Sequence, residues 1–220
     1  MIDMEADMRV PKPLNKRQKK ELVKIAWQQI EQFIKDWHKS PHEWYNERDV
    51  QFEIASRIKD RFRKLKWGKI WGRYTRSVGD RFRGKVQFYP RVGCEPPIYH
   101  RFQSGKSEVY KPDIVIWDDI KNPNSPFERQ YEEKRNDPRM LWVCEIKYMP
   151  EWRRPYNPKE EDNKDLRKLK WLLKQDDGAE LACWLNIAYR IDKSCKNKFD
   201  NKPHTKGRLR KYYITLPNIS

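Results

Sequence analysis

Residues Leu141–Tyr148 read LWVCEIKY, the most apolar strand-like run in the chain, and they include a glutamate and a lysine. Burying either charge in a sheet is unfavourable unless a partner offsets the lost hydration. Positions two apart in an extended strand share a face. Glu145 and Lys147 therefore point the same way, with Leu141 and Val143 behind them, while Cys144, Ile146 and Tyr148 face the opposite layer. The fold must bury this strand and still leave one end open to whatever balances its two charges.

The flanking patterns define the rest of the sheet and its cover. Residues 1–13 lack periodicity and read as a loose tail. Leu22, Ile25, Ala26, Ile30, Phe33 and Trp37 recur at three- and four-residue steps, which predicts a helix from Asn15 that Ser40-Pro41 ends. A second helix is predicted to start at Asn46 as N-cap, with Val50, Ile54, Ile58 and Phe62 as its apolar stripe. Glu47 projects from the face of that stripe, whereas Glu53 is rotated partly away.

Residues 65–92 are punctuated by glycine and predict short strands or hairpins. VYKPDIVIWD reads as one strand, with Asp113, Val115 and Trp117 on one face and Ile114 and Ile116 on the other. A polar insertion over 119–139 separates it from the opening stretch. Beyond that, DNKDLRKLKWLLK predicts a helix, ELACWLNIAYRI a buried strand and YYITL a last strand. The order predicts an α/β (α+β) fold, a mixed central sheet flanked by helices, with an N-terminal helical extension over 14–43 and the main domain over 44–220.

Charge narrows the partner. The chain has a net charge of +17, and a surplus of that size attracts polyanions. From Arg57 to Arg91 there are thirteen basic residues and two acidic ones, interleaved with aromatics that either stack on bases or anchor a hairpin in the core. For the tryptophans we favour the core role. Lys66, Lys69, Arg73, Arg76, Arg81 and Arg83 are the candidate phosphate contacts here, and Lys168 is another on the later helix. Cys94, Cys144, Cys183 and Cys195 show no CxxC spacing, which argues against zinc or iron–sulfur ligation. The charge makes nucleic acid the expected partner, and because no apolar run approaches a membrane span, no membrane partner and a cytoplasmic setting are expected. The apolar face of the first helix serves either its own domain or a second copy in a homodimer.

The charged positions suggest a reaction. If the strand holding Asp113 pairs with the opening stretch, Asp113, Glu145 and Lys147 converge at one end of the sheet. Close carboxylates repel unless a cation lies between them, and oxygen ligands suit Mg2+ or Mn2+. Such an ion holds a phosphate oxygen and acidifies bound water. Lys147 would orient that water or, were burial to depress its pKa, help to deprotonate it. The expected activity is phosphodiester hydrolysis.

Pro112-Asp113 followed by Glu145-Ile146-Lys147 resembles the signature of the PD-(D/E)xK nuclease superfamily. The chain holds five acid-x-Lys triplets, but this one alone follows an apolar strand, with Pro-Asp before it. The resemblance covers residues 44–190. It implies a restriction-endonuclease-like core and magnesium-dependent cleavage of DNA or, less often, RNA, with Asp113, Glu145 and Lys147 as catalytic residues. It also implies a further acidic residue on the preceding helix, which Glu47 fits, with Glu53 in reserve. Asp113, Glu145 and Glu47 would then hold the metal, and the helix around Asp165-Leu166-Arg167-Lys168-Leu169 would follow the motif. The competing expectations are a non-cleaving nucleic-acid-binding module on the same fold and a basic assembly protein whose charges form structural pairs.

Overall fold

A computed structural model describes residues 13–73, 86–96, 98–101, 107–118, 140–153, 158–175, 178–191 and 199–216. Helix α1 (Lys16–Lys39) opens with a capping box, in which the Gln18 amide donates to Asn15 Oδ1 at 3.0 Å and the Asn15 amide donates to Gln18 Oε1 at 2.9 Å. Pro41 cannot continue the helical hydrogen bonding, and the chain turns through a short 3-10 segment at Pro41–Glu43. Asn46 then caps α2 (Glu47–Arg63), its side chain accepting from the amides of Arg48 and Asp49. Both helices start where their capping residues dictate. Phe33 and Trp37 of α1 and Ile54 and Ile58 of α2 are fully buried in one shared core.

Strands β1 (Lys69–Arg73) and β2 (Val86–Pro90) pair antiparallel within the region expected to form hairpins. Trp67, just before β1, packs on the helical core, in line with the structural role favoured for the tryptophans. Strands β3 (Val92–Cys94), β4 (Ile98–Arg101), β5 (Ser107–Tyr110) and β6 (Ile114–Trp117) follow, then β7 (Met140–Met149), which contains the opening stretch. Helix α3 (Pro158–Leu172), β8 (Ala179–Ala188), β9 (Pro203–Lys206) and β10 (Leu209–Thr215) complete the described chain. The main sheet has six strands in the order β3-β6-β7-β8-β10-β9 and is open. β7, β8 and β10 run parallel, while the β3–β6, β6–β7 and β9–β10 pairs are antiparallel. This is an α/β fold with a mixed sheet.

The sheet separates two cores. Trp142, Cys144, Ile146 and Tyr148 of β7 pack with α1 and α2, whereas Val143 packs with Leu166, Leu169 and Leu172 of α3. Strand β6 alternates as expected, with Ile114 and Ile116 on the first side and Val115 and Trp117 on the second. Cys144 and Cys183, neighbours across β7 and β8, are buried free thiols.

Two sequence expectations are corrected. VYKPDIVIWD is not one strand: β5 pairs with β4 in a separate two-stranded sheet, and only β6 joins the main one. Pro112 sits in the break, where its missing N–H removes a ladder donor. Leu141 does not lie behind Glu145 but packs with the α1–α2 core. The β6–β7 register shifts between Ile116 and Trp117, so Leu141 is an extra residue opposite that step and the alternation inverts across it. The insertion over 119–139 lies outside the described residues.

Gly178 fixes the passage from α3 into β8. A Cβ there would stand 1.9 Å from the Leu172 carbonyl oxygen, which no side chain tolerates. The Gly178 carbonyl also accepts from the Met140 amide at 3.2 Å, which ties the start of β7 to the same corner.

Candidate active site

Extending the β6–β7 register by one step from the Ile114–Cys144 pair sets Asp113 opposite Glu145. Asp113 is pinned on several sides. Its Oδ2 accepts from the Ile146 amide at 2.6 Å, and its carbonyl accepts from Gln51 Nε2 of α2 at 2.6 Å and from the Glu95 amide at 3.2 Å. Glu95 itself adopts φ +47°, a left-handed conformation that is uncommon outside glycine.

Glu145 is 5% exposed, and the hydroxyl of the buried Tyr110 donates to its Oε1. Glu145 is held well above the ordinary carboxylate range, by burial first and then by the charge of Asp113. Asp113 is raised too: burial and the nearby Glu47 outweigh the lowering effect of the Ile146 amide. The two carboxylates are therefore deficient in positive charge.

Lys147 reaches in two directions from the open end of β7. Its Nζ lies 3.1 Å from Asp165 Oδ2 on α3 and 3.7 Å from Glu47 Oε1 at the start of α2. The other Glu47 oxygen accepts from the Tyr148 amide at 3.4 Å. Burial works to lower the Lys147 pKa, but Glu47 and Asp165 outweigh it and push the ammonium up to about 12. Both carboxylates thus favour the charged ammonium.

Lys168 joins the cluster through Asp165 Oδ1 at 3.0 Å, with its Nζ 5.1 Å from the centre of the Tyr110 ring. Asp165 is lowered despite its burial, because Lys147 and Lys168 both favour its ionised form.

The sequence-derived site residues thus meet in part. Asp113, Glu145, Lys147, Glu47 and Lys168 belong to one connected network. Glu53, the reserve carboxylate, pairs instead with Arg57 at 2.6 Å. Lys66 and Lys69 are exposed, Arg73 lies on β1, and Arg76, Arg81 and Arg83 fall outside the described residues. Asp165, Tyr110 and Gln51 were not anticipated. Asp165 carried a usable signal, since it stands four and seven residues before Leu169 and Leu172 and shares their helical face.

Among the described residues, no group of three or more His, Cys, Asp and Glu side chains forms a ready metal cage. The donor chemistry of the Asp113–Glu145 pair nonetheless fits a hard divalent ion. It offers oxygen ligands only, and Asp113 lines a cavity of about 440 Å³ together with Lys147, Glu47 and Glu95. Magnesium in particular takes one or two carboxylates and completes its shell with water and phosphate.

Compared with protein-family models, curated proteins and solved structures, the chain matches none. No described helix is long and apolar enough to cross a membrane.

Proposed function

We propose that this protein is a metal-dependent nuclease, an endonuclease that hydrolyses phosphodiester bonds in DNA. The observation that carries the reading is geometric: Asp113, held by the Ile146 amide next to Glu145, lines one cavity with Lys147, which Glu47 and Asp165 hold. The order α2, Asp113, β7, α3 agrees with the PD-(D/E)xK resemblance, and the net charge of +17 suits a polyanionic substrate.

Asp113 and Glu145 would hold Mg2+ or Mn2+, which when bound supplies positive charge for the scissile phosphate and a more acidic water. Asp113 is oriented by the Ile146 amide, Glu145 by Tyr110. Lys147 donates to the phosphate or to the incoming water and stabilises negative charge as it develops. Asp165 and Glu47 hold that ammonium between two helices, so its position is set before substrate arrives.

The test is incubation with single- and double-stranded DNA and RNA in Mg2+, Mn2+ or EDTA, beside Asp113→Ala and Lys147→Ala. Cleavage that requires metal and is lost in both variants is the expected result. Tight binding without cleavage under any metal would refute the nuclease reading in favour of a non-cleaving module. Indifference to nucleic acid would leave the charges as structural pairs.

A further inference from the structure

Tyr45, Phe52 and Trp152 are exposed at 66%, 51% and 67%, unusual for large apolar side chains. Their placement is not scattered. Tyr45 and Trp152 line the same cavity as Asp113 and Lys147, together with Arg48 and Arg153, and Phe52 stands one turn beyond Arg48, whose guanidinium lies 5.5 Å from its ring centre. Both aromatic positions are fixed by backbone contacts. The Tyr45 amide donates to Asp49 Oδ2 at 3.1 Å, and the Trp152 turn is closed by the Arg153 amide donating to the Pro150 carbonyl at 3.1 Å.

This arrangement offers π faces and cations around a cavity that the carboxylates of Glu47, Glu95 and Asp113 and the Lys147 ammonium also line. A duplex cannot use the π faces, because its bases are stacked within the helix and it presents phosphates outward. An unpaired base can, and stacking on aromatic side chains is how single strands are held without sequence readout. The cavity, at about 440 Å³, is within the range that seats a small ligand or one nucleotide.

We propose that Tyr45 and Trp152, with Arg48 and Arg153, seat an unpaired base beside the Asp113–Lys147 centre, so that the substrate is a strand unpaired at or next to the bond that is cut. The proposal rests on the nuclease reading for the bond and adds the state of the strand. Trp152 and Tyr45 supply the stacking surface, and the two arginines contact the flanking phosphates.

The experiment measures binding by fluorescence anisotropy in EDTA, where the nuclease does not turn over. The probes are a labelled single strand and a blunt duplex of the same sequence, with wild-type protein, Trp152→Ala, Trp152→Phe and Tyr45→Ala. Single-strand Kd is expected to rise about tenfold in each alanine variant. Trp152→Phe should restore it to within about twofold, and duplex Kd should change less than about twofold. Equal weakening on strand and duplex, unchanged single-strand affinity, or no binding by the wild type would each overturn the base seat. Metal-dependent cleavage of the same strand, measured in parallel, separates the two claims. Cleavage with unaltered single-strand affinity in Trp152→Ala sinks the base seat alone, and a selective loss of strand binding in a protein that never cleaves sinks the nuclease alone.

Discussion

Replacing Glu145 by glutamine tests the charge deficit at the site without reference to activity. Burial, and then the charge of Asp113, raise the Glu145 pKa to about 9. Glutamine keeps an oxygen for the Tyr110 hydroxyl, removes one charge and can turn an amide proton toward Asp113. The folded-state pKa of Glu145 is raised above its ordinary 4.5, so its contribution to stability is whole below that value and is lost as pH rises. One whole proton changes stability by about 1.4 kcal/mol per pH unit. In EDTA, urea denaturation between pH 5 and 8 should therefore show wild-type stability falling more steeply than that of Glu145→Gln. From pH 5 to 8 the wild type should lose up to about 4 kcal/mol more than the variant, with the difference closing toward pH 4. Parallel curves would show that Glu145 is already compensated and that the site has no need of a cation.

Asp165→Asn should slow metal-dependent cleavage about ten- to hundredfold by releasing Lys147 from α3, while the far-ultraviolet circular dichroism is unchanged; an unaltered rate would mean that Asp165 does not position the lysine. Gly178→Ala should lower stability by more than about 1 kcal/mol, because a Cβ there would overlap the Leu172 carbonyl and the α3–β8 corner would have to shift. Thermal melting reads it, and an unchanged melting temperature would contradict the close approach.

The parts of the fold legible in the sequence are those decided by local chemistry. Asn15 and Asn46 announce their helices because a cap is a bond to residues two or three positions away. The alternation in β6, and in β7 beyond Leu141, is likewise local. What stayed hidden depends on contacts across the chain. The extra residue at Leu141 exists only in register with β6, and the separation of β5 from β6 follows from pairing with β4. Tyr110 and Glu145 meet across 35 positions, which no spacing rule anticipates. The charge state of Lys147 needed the balance of burial against Glu47 and Asp165, and only the assembled site supplies it.

The proposed reaction requires Asp113 and Glu145 together to hold a divalent ion. Titration of Mn2+ into the protein, followed by the loss of the free-ion paramagnetic resonance signal in the presence of a short single strand, tests it most directly. One ion should bind per chain in the wild type, and Asp113→Asn or Glu145→Gln should each weaken binding at least about tenfold, because each removes a carboxylate charge from the site. Binding of equal strength in all three proteins, or none in the wild type, would contradict it.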